Sequence, residues 1–190
     1  MTDPIALFNG WLEEARDAGT AVPEAMTLAT ADAQGRPSAR MLLLKRADER
    51  GFAFFTGYGS RKAGELDANS RAALVFYWQP IGRQIRVEGT VRKLSAEESD
   101  AYWATRPPRS RAAAAASRQS EPIDDLATVE AEAERLLAVH SGEIPRPPHW
   151  GGYLVEPEAI ELWQHRDDRL HERLRFTRAR EGWRVERLAP

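Results

Sequence analysis

Apolar residues first recur at helical spacing and then, abruptly, at every second position. Ile5, Phe8, Leu12 and Ala15 form one stripe of a helix predicted over residues 3–18, with Asp3 placed to cap it, Pro4 in its first turn and Gly19 as its stop. From Ala25 the pattern is that of strands. Residues 26–31 and 38–45 flank the polar turn 32–37, and residues 51–56 follow a second polar turn at 47–50. Together these predict a three-strand meander. Ser60 is placed as the N-cap of a short helix ending near Asn69. Residues 72–78 are a continuous apolar and aromatic run suited to a buried strand, and Pro80-Ile81-Gly82 turns it into a strand over 83–94. There Ile85, Val87, Gly89 and Val91 alternate with Gln84, Arg86, Glu88 and Thr90, so one face belongs to the core and the other is polar.

Ser95 and Glu98 make a capping box for a helix to about Thr105. Residues 106–121 carry conflicting signals, because Pro107-Pro108 demands a break while the alanines at 112–116 favour helix. Residues 124–141 predict an amphipathic helix with Leu126, Val129, Ala133, Leu136 and Leu137 on one side, ended by Gly142. Residues 145–148 form a rigid extended connector, followed by strands at about 152–156, 159–164, 169–178 and 183–188. The predicted class is mainly β with flanking helices (α+β), an antiparallel sheet curled into a barrel with helices packed outside. No Gly-x-Gly-x-x-Gly follows a strand, so a dinucleotide-binding Rossmann fold is excluded. With no internal repeat and no dividing linker, residues 1–190 read as one domain. It comprises an N-terminal helix (1–19), a barrel core (20–94), a helical segment (95–148) and C-terminal strands (149–190).

Composition narrows the chemistry. Lys plus Arg number 27 against 29 Asp plus Glu, a net charge of -2 that argues against a nucleic-acid binder. The absence of cysteine excludes disulfides, thiolate metal sites and thiol catalysis. The histidines at 140, 149, 165 and 171 lack metal-ligand spacing, so no metal site is expected. The N-terminal sequence has no leader-like pattern and no apolar run is long enough to span a membrane, which makes a cytoplasmic protein the simplest expectation.

Four groups of residues stand out. Arg40-Met41-Leu42-Leu43-Leu44-Lys45 bears a cation at each end, and these fall on opposite faces of an unbroken strand. Thr56-Gly57-Tyr58-Gly59-Ser60-Arg61-Lys62 runs a glycine turn into a helix N-terminus with two cations, which suits a phosphate and equally describes a capped surface helix. Tyr102, Arg106 and Ser110 recur at four-residue spacing and suit a second phosphate if the chain keeps them together across Pro107-Pro108. The run from Trp163 to Arg173, read as a strand, puts Arg169, His171 and Arg173 on one face; a solvated edge strand is the ordinary alternative. Gln84, on the polar face of its strand, suits a heterocycle edge or simply solvent. Two separate cation sets imply two phosphorylated ligands.

These motifs, with Gln119-Ser120, Trp150-Gly151-Gly152 and Trp163-Gln164 in the same order, resemble the pyridoxine/pyridoxamine 5'-phosphate oxidase family over nearly the whole chain. The resemblance implies an FMN-binding split β-barrel homodimer with the flavin at the subunit interface. It implies oxidation of pyridoxamine or pyridoxine 5'-phosphate by O2 to pyridoxal 5'-phosphate and H2O2, with hydride passing from substrate C4' to flavin N5, as in a pyridoxal 5'-phosphate synthase of vitamin B6 metabolism. Carried over by position, the flavin contacts are Arg40, Met41, Leu42, Leu43, Leu44, Lys45, Phe55, Thr56, Arg61, Lys62, Gln84, Gln119, Ser120, Trp163 and Arg173. The substrate contacts are Lys45, Tyr102, Arg106, Ser110, Arg169 and His171, the last two also the catalytic pair.

The chain departs from the family pattern in several places. The family often carries an N-terminal Arg- and Tyr-bearing segment that closes over the substrate, whereas this sequence starts at its first core helix. After Ser110 the usual Gln-Ile-Gly-Ala-Trp is replaced by Arg111 and five alanines. His165 stands where glycine is usual, Phe55 where tyrosine is frequent and Glu172 where aspartate is frequent. Two alternatives stay open: a related flavin oxidase of the phenazine-biosynthesis type, and a non-enzymatic flavin-binding or flavin-storage split barrel.

Overall fold

Helix α1 (Pro4–Asp17) forms where the stripe predicts it, with the Asp3 carboxylate accepting from the Ile5 N–H at 3.0 Å and Gly19 leaving the helix at φ 80°. Its buried face drives Phe8 into the barrel, edge-on to Phe52 and Phe76 at 4.9 Å each and beside Trp78. The computed structural model describes residues 3–141 and 143–190; the Gly142 stop expected for the later amphipathic helix lies outside them.

The remaining elements are β1 (Ala25–Ala31), β2 (Pro37–Leu43), β3 (Arg46–Asp48), β4 (Gly51–Gly57), α2 (Arg61–Ala68), β5 (Arg71–Trp78) and, after a short 3-10 turn, β6 (Arg83–Lys93). Three helices follow, α3 (Ala96–Thr105), α4 (Pro108–Ala116) and α5 (Leu126–Val139), then β7 (Trp150–Gln164), β8 (Glu172–Arg178) and β9 (Trp183–Arg187). Among the described residues all strand pairs are antiparallel. They run in the order β2-β1-β5-β6-β7-β4-β3, with β8 on β7 and β9 on β8. The sheet curls back on itself where Leu44 N–H donates to Glu24 and Lys45 N–H to Ala53.

The expected meander of residues 26–56 is corrected. β1 and β2 form a hairpin, but β4 pairs with β7, Phe52 opposite Val155 and Thr56 opposite Gly151. A strand buried on both faces, as β4 largely is, takes the neighbour that seals the barrel, and sequence proximity does not choose it. The strands expected at 152–156 and 159–164 are one continuous β7. The register with β6 shifts between Glu88 and Gly89, so Pro157 sits at a bulge where its missing N–H costs no ladder bond. Gly89 permits this approach, since a Cβ there would lie 2.1 Å from the Glu156 carbonyl.

The segment with conflicting signals resolves into two helices. Arg106 ends α3 with extended backbone, and Pro108 opens α4 at a position where proline's missing N–H is harmless. Ala112 is fully buried and Ala114 and Ala115 pack beside Trp103, Ile144 and Trp150, so the alanine run lets α4 lie close to its neighbours. The apolar stripe of α5 is only partly covered, leaving Leu126 and Val139 exposed.

Candidate functional site

The turn into α2 builds the first cleft. Ser60 occupies the N-cap position, yet its hydroxyl donates back to the Gly57 carbonyl at 2.7 Å and caps no helix N–H. Lys62 points inward and is 6% exposed; its ammonium donates to Thr56 Oγ1 and Gln119 Oε1, both at 3.1 Å. The same Gln119 oxygen accepts from Thr56 Oγ1 at 2.8 Å and from the Gly57 N–H at 3.3 Å, tying the loop after α4 to the end of β4. Burial, with the Arg40 guanidinium adding to it, pushes the Lys62 ammonium down to about 8, while the Glu65 carboxylate works the other way. Arg40, Arg61, Lys62, Gln119 and Ser120 line one cleft of about 440 Å³ with the β2 backbone.

Glu65 lies beneath these cations. It accepts from Thr30 Oγ1 at 2.5 Å, from the Ser38 hydroxyl, from Arg40 Nη2 at 2.9 Å and from Arg61 Nε at 2.8 Å. Burial alone would push its carboxyl up, but the hydrogen bonds from Thr30, Ser38, Arg40 and Arg61 outweigh it and hold the group at about 2. Arg40 is fixed further by Thr30 Oγ1 at 2.6 Å and by the Leu28 carbonyl.

A second cleft, about 540 Å³, opens beside the first between β4 and α4. Phe55 stacks on Tyr102 at 3.9 Å and on Trp150 at 5.6 Å, forming an aromatic wall. Arg106 lies 4.7 Å from the Trp150 ring centre and donates to the Ser110 carbonyl at 2.8 Å. The chain break at Pro107 therefore leaves Arg106 and Ser110 together, with Tyr102 at the wall. Arg106 pairs with no carboxylate among the described residues; burial pushes its guanidinium down, and its buried Nε has no partner. Leu42, Phe55, Thr56 and Gln119 line this cleft as well, so the two clefts share a wall.

The Arg40–Lys45 run is divided. Arg40 and Leu42 face the clefts, Met41 and Leu43 on the opposite face are 62% and 43% exposed, and Leu44 is buried. β2 ends at Leu43, so the opposite-face reading of Arg40 and Lys45 does not apply; Lys45 is an exposed residue after the strand and lines neither cleft.

The C-terminal run is not a single strand, which corrects the alternation expected for Arg169, His171 and Arg173. β7 ends at Gln164, a turn follows, and β8 begins at Glu172. Arg169 sits in the turn at φ 66°, exposed, its side chain without a hydrogen bond or ion pair among the described residues. His171 accepts from the Arg166 N–H through Nδ1 at 3.2 Å, and its ring lies 4.7 Å from that of Trp163. Gln84, Trp163 and Arg173 form a cross-strand row over β6, β7 and β8, although Arg173 is already paired with Glu161 at 2.7 Å. None of Gln84, Trp163, Arg169, His171 or Arg173 lines either cleft.

Sequence reasoning missed Glu65 and Trp150. Glu65 carries one local signal, its position four residues after Arg61 on a helix. Trp150 begins the Trp-Gly-Gly motif but was not read as a wall of the site.

A curled antiparallel barrel with helices beside a cation-lined seam defines the class of PNPOx-like split-barrel FMN-binding proteins. Residues 12–140 match the family model described as pyridoxamine 5'-phosphate oxidase, and residues 150–190 that of the pyridoxine 5'-phosphate oxidase C-terminal dimerisation region. A pyridoxine/pyridoxamine 5'-phosphate oxidase from Rubrobacter xylanophilus is 55% identical over 99% of this chain and 87% of its own length; one from Burkholderia vietnamiensis is 53% identical over 99% and 89%. Among solved structures, PhzG from Burkholderia lata, in complex with tetrahydrophenazine-1-carboxylic acid, superposes with TM-score 0.96 at 37% identity, covering 100% of this chain and 94% of that one. A pyridoxamine 5'-phosphate oxidase-related FMN-binding protein from Nostoc punctiforme, at TM-score 0.78 and 19% identity over 96% and 97% of the two chains, shows the same fold. This chain belongs to the pyridoxamine 5'-phosphate oxidase family. No helix among the described residues is long and apolar enough to cross a membrane.

Proposed function

We propose that the protein is an FMN-dependent oxidase that converts pyridoxamine 5'-phosphate, pyridoxine 5'-phosphate or both to pyridoxal 5'-phosphate, reducing O2 to H2O2. The observation that carries this reading is Arg106, a half-buried cation stacked on an indole and left without a counter-ion among the described residues, beside the first cleft, whose cations are already organised. A half-buried, unpaired guanidinium is costly unless an anion completes it. The relatives named for this activity support the same substrate class.

The first cleft fits the phosphate end of FMN. Lys62, Arg40 and Arg61 supply charge, and the Gln119 and Ser120 loop closes the side. Ser120, which lines this cleft, holds a left-handed backbone that costs a non-glycine residue on the order of 1 kcal/mol. Bound FMN would supply the hydride-accepting redox chemistry that the protein's own side chains lack. The residues of the chain bind and orient. Arg106 and Ser110 hold the substrate phosphate against the Phe55–Tyr102–Trp150 wall. His171 keeps Nδ1 occupied by the Arg166 N–H, which leaves Nε2 as its donor toward a substrate oxygen, and Arg169 adds a permanent charge there.

Arg169 and His171 belong to the surface that also carries Gln84, Trp163 and Arg173. Because that surface shares no cleft with Lys62 or Arg106, a ligand touching both sets is held between two copies of the chain. The match of residues 150–190 to a dimerisation region and the exposed Met41, Leu43 and Tyr77 support such a homodimer. The similarity to PhzG favours a second reading, oxidation of a carboxylated tricyclic substrate. Aerobic turnover by the FMN-loaded protein, followed by peroxide release and pyridoxal 5'-phosphate absorbance, separates them. Bound flavin with no product from either vitamin phosphate would exclude the proposed activity.

A further inference from the structure

We infer that Glu65 is a positioning residue for the phosphate end of the first cleft: its buried carboxylate orients Arg40 and Arg61 and sustains the charge of Lys62. The inference rests on the FMN reading above and adds to it a residue that contacts neither ligand.

An ordinary surface ion pair would carry little weight, and Arg61, 72% exposed, would make one with any nearby acid. Glu65 is different. It is 6% exposed, and its four partners come from three elements: Thr30 from β1, Ser38 and Arg40 from β2, Arg61 from its own helix. Arg40 Nη2 also bonds the Ser38 hydroxyl, so hydroxyl, carboxylate and guanidinium form one closed unit. Arg40 thereby turns a fixed edge along β2 toward the cleft instead of sweeping through rotamers.

The charge arrangement follows from the same geometry. Lys62 faces Arg40 from β2, Arg61 and Glu65 from α2, Thr56 from β4 and Gln119 from the loop after α4. Of these only Glu65 is an anion, and it favours the protonated ammonium while Arg40 opposes it. Without Glu65, two guanidiniums and a half-desolvated ammonium would repel one another, and Lys62 would lose its proton at lower pH. The cleft would then contain a looser Arg40 and a neutral amine.

The test is a fluorescence titration of purified full-length protein with FMN and with riboflavin, from neutral to alkaline pH, for wild type and Glu65→Gln. The wild type should lose FMN affinity as pH rises through the Lys62 value of about 8, because the protonated amine is the form that pairs with phosphate. In Glu65→Gln, FMN binding at neutral pH should weaken by about tenfold, the order expected for loss of one charge-assisted hydrogen-bond network. The alkaline decline should move to lower pH. Riboflavin, which lacks the phosphate, should bind both proteins alike; a general structural defect would weaken both ligands together. Ser38→Ala, which removes a donor to Glu65 without changing charge, should move FMN affinity the same way by a smaller factor and covers the case in which Glu65→Gln folds poorly. Equal or tighter FMN binding in both variants, or an unmoved pH decline, overturns the inference alone. A wild-type protein that binds no FMN overturns the flavin reading and this inference with it.

Discussion

The two clefts along the β4 seam handle positive charge in opposite ways. At α2, two guanidiniums pair with a carboxylate buried among hydroxyls and Lys62 is held by Thr56 and Gln119, so the cations are fixed in place, with positive charge to spare, before any ligand arrives. Beside α4, Arg106 has a carbonyl, two indoles and, among the described residues, no acid. The first arrangement is a standing mould for an anion, and the second is a cation waiting for one. The cofactor and substrate proposed for these clefts would call for that difference: preorganisation lowers the cost of binding, whereas an uncompensated charge makes occupancy itself the stabilising event.

The comparison breaks most sharply at Arg106. Arg106→Ala should lower kcat/KM for the vitamin phosphate on the order of a thousandfold, the scale for truncating one member of a buried charged pair. FMN affinity should change little. Steady-state kinetics beside a flavin titration read both, and a comparable loss of flavin would show that the two clefts act as one.

At α2 the difference appears as acid sensitivity. The Glu65 carboxyl is held at about 2, below its ordinary value of 4.5, so it binds protons less readily folded than unfolded. Its contribution to stability is complete above pH 4.5 and is lost as pH falls toward 2. The amount is on the order of 3 kcal/mol. Denaturant unfolding of the wild type should therefore show a steep loss over that window. Glu65→Gln should be less stable at neutral pH and flatter in acid; parallel acid curves would mean that Glu65 is not the group responsible.

What could be read in the sequence followed how local each cause is. The strand over 83–94 was legible because one face is buried, and the capping box at Ser95 because its two partners lie three residues apart. The pairing of β4 with β7 was not, since no local pattern selects a distant partner. The gap expected between strands at 152–156 and 159–164 is a bulge at Pro157, formed jointly with β6 and so not visible locally. Among site residues, Lys62, Thr56 and Gln119 do converge, and Arg106 stays beside Ser110 despite the proline break. Glu65 was illegible because Thr30, Ser38 and Arg40 reach it across the barrel, and only Arg61 announces it from nearby.

The smallest effect is expected outside both clefts, at His165. Its backbone N–H donates to the Gly82 carbonyl at 2.8 Å, and its Cβ passes within 3.1 Å of where a Gly82 side chain would begin, so the backbone contact needs glycine at 82 and not histidine at 165. Its ring leans toward Trp163 at 6.0 Å and His171 at 5.4 Å, and its polar contact with Asp167 at 3.3 Å is exposed. His171 already has a backbone donor at Nδ1 and a closer ring neighbour in Trp163, so its orientation does not depend on His165. His165→Gly should accordingly leave flavin affinity unchanged and shift KM by less than about threefold, the effect of losing well under 1 kcal/mol of contact. A tenfold rise in KM, with kcat and FMN binding intact, would instead make the 165–171 turn a third charged surface of the substrate site, and the contrast between two clefts would become one among three.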